Sequence, residues 1–254
     1  MRIATWNMNH WRRTSVQRAE AWAFLNDLSL DVALVQEAVP PAGLESVHRG
    51  GGIGNGRRWG SAVVSYSGAL TELQRVNSPY GRKREVELLQ TFPGSVTIAQ
   101  GQDEPTVLVS AYGVMEEGYA VTTMHRVLSD LTPLLDRDVG KRLIIGGDFN
   151  CSTQRLGRDR ERHQNLFVRF ATLGLVNLLE LTADGRPALA DCPCSDQPCR
   201  HVQTLRHGRS AVPWQNDYLF ATAAVAEHLL DCQPLAVPDP WAFSDHCPIV
   251  AEFG

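Results

Sequence analysis

The 254-residue chain has no run approaching the ~18 consecutive apolar residues of a membrane span. Its opening stretch, MRIATWNMNHWRRTSV, has no apolar core of a secretory signal, which leads us to expect a cytoplasmic protein. No internal repeat and no low-complexity tract occurs, which excludes solenoids and fibrous arrays. Strong charge of one sign is also missing. The 24 basic and 28 acidic residues leave a net charge of -4, which argues against a polycation coating nucleic acid but leaves room for a local basic groove. No GxSxG elbow, P-loop or HExxH is present, so several hydrolase and NTPase readings find no anchor.

What is there is a chain that can bury a core: 43% hydrophobic and 20% charged residues exclude intrinsic disorder. One domain spanning 1–254 is expected. Six cysteines without a signal sequence point to reduced thiols. Short β-like runs separated by Gly, Pro and Asn turns are expected at Arg2–Asn7, Val32–Gln36, Trp59–Tyr66, Leu70–Val76, Val86–Phe92, Val96–Gln100, Thr106–Tyr112, Arg142–Gly146, Asp217–Ala221 and Pro248–Phe253. Helical spacing covers Ser15–Leu28, with Ser15 as N-cap, Val121–Asp136, and Arg162–Leu173 with a stop at Gly174. Val39–Arg58 and Thr182–Pro213 read as long surface loops. Strands outnumber helices, so the expectation is α+β with two packed mixed sheets and outer helices.

Four acidic residues share one context, the end or start of a strongly apolar strand: Glu37, Asp148, Asp217 and Asp245. Asn7, Asn150 and His246 accompany them. Carboxylates at the mouth of a β core are costly unless paired, hydrogen-bonded or metal-bound. Hard divalent cations seek such oxygens. Asp148 and Asn150 are two residues apart, so an extended chain points both to one side. The competing reading is that Asp and Asn merely form turns after strands.

In this order, TWNMN (5–9), VQE (35–37), SAYG (110–113), GGDFN (146–150), NDYLF (216–220) and SDHCPIVAEF (244–253) resemble the endonuclease/exonuclease/phosphatase, or DNase I-like, superfamily. The resemblance runs from the first residues to the last. It implies a four-layer α/β/β/α sandwich and Mg²⁺- or Mn²⁺-dependent phosphoester hydrolysis. Glu37 would be the main metal ligand, with Asn7 and Asp245 supporting it. Asp148 would align or deprotonate the attacking water, and Asn150 would hold the scissile phosphate. His246 would contact a phosphate oxygen, Asp217 would hold its ring cationic, and Tyr112 would be a further phosphate contact. Nucleic acid is the implied substrate and partner, and no obligate protein partner is evident. The alternative is a phosphatase or phosphodiesterase acting on a small phosphorylated metabolite, nucleotide or lipid headgroup. Two departures bear on this. The stretch after Tyr112, GVMEEGYAV, is acidic where several nucleases carry a basic residue, and Asn9 stands where an aspartate is frequent.

Cys192, Cys194, Cys199 and His201 are ligand types that zinc prefers, in the spacing C-x-C-x4-C-x-H. The spacing is not a common zinc-finger one. A structural Zn²⁺ and a loop of reduced thiols both stand as readings. The segment leads into Asp217, so His201, Thr204, Arg206, His207 and Arg209 are candidates for phosphate or leaving-group contacts. Trp11 with Arg12 and Arg13, Arg57 and Arg58 with Trp59, and Arg82, Lys83 and Arg84 are candidate walls of a nucleic-acid cleft. Arg155, Arg158, Arg160 and Arg162 read as a solvated helix start with local ion pairs.

Overall fold

A computed structural model describes residues 1–50, 58–77, 85–88, 92–102, 105–117, 119–235 and 239–254. From the N-terminus come β1 (Arg2–Asn7), α1 (Ser15–Asp27), β2 (Val32–Ala38), β3 (Ser46–Gly50), β4 (Gly60–Ser65) and β5 (Leu70–Glu72). The short pair β6 (Arg75–Asn77) and β7 (Glu85–Glu87) follows, then β8 (Val96–Gly101), β9 (Val107–Ala111) and α2 (Val121–Leu135). The second half supplies β10 (Leu143–Asp148), α3 (Gly157–Thr172), β11 (Leu175–Asn177), α4 (Leu178–Leu181), β12 (Asp217–Thr222), α5 (Ala223–Ala226), β13 (Leu229–Pro234) and β14 (Ile249–Phe253).

Among the described residues two six-stranded mixed sheets form, ordered β13-β14-β1-β2-β4-β3 and β11-β12-β10-β9-β8-β5. Alternation along the central strands shows why they stack. On β1, Ile3 packs into the inter-sheet core while Ala4 and Trp6 face outward to α1. On β10, Ile144 faces inward while Leu143 and Ile145 meet the α2 and α3 side. Burial on both faces explains the continuous apolar runs of β2 and β10. The layers are therefore helix, sheet, sheet, helix, as expected. Toward the site the inter-sheet core turns polar: Gln36 Nε2 donates to Ser110 Oγ (3.0 Å) and Thr5 Oγ1 (3.3 Å), and Ser110 Oγ donates to Val35 O (2.9 Å). These bonds tie β1, β2 and β9 together across the sheets.

Several boundaries differ from the sequence reading. Thr14, not Ser15, caps α1; its hydroxyl accepts from Gln17 N–H, and Gln17 reaches back in a capping box. The expected Leu70–Val76 strand is broken into β5 and β6. β3 lies inside the segment read as a loop, and β11 and β13 were not anticipated. Residues 89–91 of the expected Val86–Phe92 strand lie outside the described residues, as do Arg57, Arg82, Lys83 and Arg84. Among the described residues no helix is long and apolar enough to cross a membrane.

Candidate active site

The expected residues converge where the two sheets end. Parallel pairing of β1 with β2 places Asn7 opposite Gln36, one residue before Glu37. Antiparallel pairing of β10 with β12 places Asp148 directly opposite Asp217. Close approach of β9 to β10 requires Gly147, since a Cβ there would lie 1.7 Å from Ala111 O. Gly113 is constrained the same way, its added Cβ falling 2.0 Å from Phe149 O.

Glu37 sits in a bulge between β2 and β4 and has φ +50°. Asn9 and Asn150 are also left-handed, at φ +48° and +51°. Such backbone is strained for non-glycine residues and gathers at functional sites. Here it turns three polar side chains toward one mouth. His10 helps to hold the bulge: it is buried, and its Nδ1 accepts from Val39 N–H at 3.3 Å.

Asn7 Nδ2 bridges the sheets, donating to Asp148 Oδ2 (2.9 Å) and Glu37 Oε1 (3.3 Å). Asp148 is further fixed by Asn150, whose N–H donates to Oδ1 (2.9 Å) and whose amide reaches Oδ2 (3.2 Å) and Gly113 O (3.0 Å). Behind this lies an aromatic stack: Phe149 is fully buried against Phe170, Tyr218 and Phe220.

His246 is 6% exposed and lies between two carboxylates. Its Nδ1 is 2.8 Å from Asp217 Oδ2, and its Nε2 is 3.8 Å from Asp148 Oδ2. Burial by itself would depress the imidazole; Asp217 and then Asp148 overturn that and lift its pKa to about 10. His246 is thus a cation at neutral pH. The second distance is too long for a hydrogen bond, which leaves Nε2–H available to a ligand oxygen. Asp148 is raised to about 7, by burial first and by Asp217 further down the order, with His246 opposing. Burial also raises Glu37, an effect that the nearby Tyr112 hydroxyl, His246 and Asn7 partly offset. Tyr112 is pushed far above the ordinary phenol range by burial, Glu37 and Asp148, so it remains a donor. Asp245 accepts from Asn9 Nδ2 at 2.5 Å.

Four residues support the site in ways the sequence reading did not assign. Ser244 Oγ donates to Asn7 O (2.7 Å) and accepts from His246 N–H (3.1 Å). Trp6 Nε1 donates to His246 O (2.8 Å). Thr204, read as a phosphate contact, is instead fully buried, its Oγ1 accepting from Asn216 and Asp217 N–H. Asn9 was noted only as a departure. Hydroxyls and amides of this kind leave no pattern in one sequence.

The donor set suits a divalent cation. Glu37 Oε2 and Asp217 Oδ1 are both buried without a hydrogen bond. Buried unpaired carboxylate oxygens are costly, and a hard cation held by Glu37 would satisfy its Oε2. Asp148, Asp217 and His246 also bring ligand atoms within 4.8 Å of one another. Cys192, Cys194, Cys199 and His201 form a second group at the same spacing.

A sequence profile of the Endonuclease/Exonuclease/phosphatase family matches residues 4–246. The chain belongs to this family. The fold agrees: an AP endonuclease from Archaeoglobus fulgidus superposes with a TM-score of 0.68 at 18% identity, covering 100% of this chain and 99% of that one. A 3'-5' exonuclease from Neisseria meningitidis gives 0.64 at 20% identity, covering 100% and 99%. An AP endonuclease from Leishmania major gives 0.64 at 17% identity, covering 98% and 86%. No curated protein sequence matches the chain. Family membership makes phosphoester hydrolysis the chemistry to which the site is put, and the buried carboxylates are consistent with the family's general need for a divalent metal.

Proposed function

We propose that this chain is a divalent-metal-dependent phosphodiesterase, a nuclease acting on DNA or RNA. The observation that carries the reading is a cationic His246 clamped between Asp217 and Asp148, beside Asn7, Glu37, Asn150 and Tyr112. Phosphoryl transfer to water needs an aligned nucleophile and neutralised charge on the phosphate oxygens. Asp148, with its pKa near 7, takes a proton from the attacking water as the water oxygen bonds to phosphorus and the P–O bond to the leaving alkoxide breaks, and the alkoxide takes a proton from solvent. Gaining that proton weakens its 3.2 Å contact with Asn150, which frees an amide hydrogen for the scissile phosphate. His246 Nε2–H and the Tyr112 hydroxyl donate to the other phosphate oxygens. Asp217 keeps His246 charged throughout.

Glu37, with Asn7 and with Asp245 held by Asn9, would hold Mg²⁺ or Mn²⁺. When bound, the cation supplies Lewis-acid stabilisation of the developing charge. Glu37 is favoured over the Asp148–Asp217–His246 group because a protonated imidazole already fills that one.

Three arginine–tryptophan stacks border the site and favour a nucleic-acid substrate. Arg12 lies 4.2 Å from the half-exposed Trp11 ring, just past Asn9. Arg206 lies 4.2 Å from Trp241, and its N–H donates to Asp245 O. Arg155 lies 4.9 Å from Trp214 and lines a small recess with Asn150. Trp59 meets Tyr112 edge-on. Aromatic faces and guanidinium groups together suit stacked bases and phosphates. The structural relatives are named for action on AP sites and DNA 3' ends. The net charge of -4 and the acidic Glu116 and Glu117 after Tyr112 favour the second reading, a small phosphoester.

A substrate panel decides between them: single- and double-stranded DNA, RNA, an abasic duplex, inositol phosphates and bis(p-nitrophenyl) phosphate, each with Mg²⁺, Mn²⁺ or chelator. Metal-dependent cleavage of a nucleic acid is the expected result. Turnover confined to inositol phosphates would refute the nuclease reading. No turnover on any substrate would refute the enzyme reading.

A further inference from the structure

Residues 182–216 run between α4 and β12 without a helix or strand. Such a long connection rarely holds a fixed path by chain propensity alone. Its apolar anchors are few, chiefly Ala183, Val202 and Leu205. Yet it must be fixed, because it touches three parts of the active site. Thr204 Oγ1 holds the N–H of Asp217, Arg206 N–H donates to Asp245 O, and Thr204 O accepts from Cys247 N–H.

We infer that Cys192, Cys194, Cys199 and His201 bind a structural zinc ion that clamps this segment beside the active site. All four ligand atoms lie within 4.8 Å of one another. His201 Nδ1 is 3.7 Å from both Cys192 Sγ and Cys199 Sγ. A tetrahedron with arms of about 2.3 Å to sulfur and about 2.05 Å to nitrogen has an S···N edge of roughly 3.6 Å. The side chains are thus already spaced for the ion. Three thiolates and one imidazole are soft donors that select zinc over Mg²⁺ or Mn²⁺. All six cysteines of the chain are free, so no disulfide competes for these sulfurs.

The surroundings fit a metal site as well. His201 Nε2 is 2.7 Å from Thr153 Oγ1, a contact that aims Nδ1 at the sulfurs. Gln154 Nε2 donates to Cys192 Sγ at 3.3 Å. Thr153 and Gln154 lie in the turn between β10, which ends at Asp148, and α3. Gln154 also accepts from Gln215 N–H (2.6 Å) and donates to Pro213 O (2.9 Å), which joins the cluster to the approach of Asp217. Arg160 of α3 pairs with Asp196 at the tip of the loop. Zn²⁺ binding sends the thiol protons to solvent, leaving a Cys₃His site with one net negative charge.

The test is metal analysis of the full chain purified without chelator. About one zinc per chain, retained through gel filtration, is expected for a closed four-ligand site. Less than about a tenth of an equivalent in fully folded protein overturns the inference. Cys199→Ser should lose the zinc, whereas Glu37→Gln should keep it, which separates this site from the catalytic one. Should Cys199→Ser fail to fold, cobalt loading of the unaltered chain decides. Intense tetrahedral d–d bands with a sulfur-to-cobalt charge-transfer band support the inference, and a weak octahedral spectrum overturns it. Zinc loss should also lower the melting temperature.

Discussion

Replacing Asp217 by asparagine tests the charge logic of the site without changing its shape. Asp217 is fully buried, and its Oδ2 is 2.8 Å from His246 Nδ1. Two unit charges about 4 Å apart interact by about 4 kcal/mol at an effective dielectric constant of 20. That corresponds to about 3 pH units. His246 should therefore fall from about 10 to roughly 7 in Asp217→Asn, with Asp148 still beside it. At pH 8 only about a tenth of the imidazole would then be charged, against nearly all of it at pH 6. The unaltered enzyme should show no loss of kcat from His246 deprotonation between those values. Measured against the unaltered enzyme at the same pH, which cancels the ionisation of Asp148, the variant should be about tenfold slower at pH 8 and little changed at pH 6. The sign for stability is the same: a raised histidine contributes below its unfolded value of about 6.5 and loses that contribution as pH rises toward 10. Nitrogen-15 NMR titration of His246 reads the shift without any substrate. An imidazole in Asp217→Asn that still titrates above 9, or an unchanged pH–rate profile, would refute the reasoning.

Further consequences follow from other residues. Asp148→Asn should leave the fold intact and cut turnover at least about a hundredfold, as loss of a general base does; near-normal kcat would remove Asp148 from that role. Phe149→Ala removes the ring wedged between Phe170, Tyr218 and Phe220, and should cost about 3–5 kcal/mol in urea unfolding. A cost below 1 kcal/mol would mean that the stack does not support the neighbouring Asp148. His10 and His163 are buried and lowered to about 4, mainly by burial, then by Arg18 and Arg155 respectively. Each contributes stability above its unfolded value near 6.5, which is lost as pH falls through about 4 and amounts to at most about 3 kcal/mol. His163→Gln should flatten the melting-temperature profile over that range, and an unaltered profile would contradict the assignment.

The polar cluster at the strand ends is more legible in the sequence than the scaffold around it. Glu37, Asp148 and Asp217 were legible because each abuts a run of apolar residues buried on both faces, where a carboxylate stands out. The same double burial made β2 and β10 easy to place. β3 was missed because Ser46–Gly50 is a half-buried edge strand of mixed composition, with no periodicity to mark it. β11, only three residues long, exists because β12 gives it a partner. The Thr14 cap was off by one because Ser15 is an equally good capping residue by type, and only the Gln17 contact decides between them. Thr204 illustrates the deeper limit. Its residue type suits a phosphate contact, but the return of the loop under β12 turns the hydroxyl to backbone amides, a consequence of tertiary path that local pattern does not encode.

The most direct test of the whole account is the Mg²⁺ dependence of phosphodiester cleavage by the unaltered chain and by Glu37→Gln. The account predicts no cleavage in chelator, recovery on adding Mg²⁺, and a half-saturating Mg²⁺ concentration at least about tenfold higher in Glu37→Gln. Cleavage that persists in chelator, or identical Mg²⁺ curves for the two proteins, would contradict it.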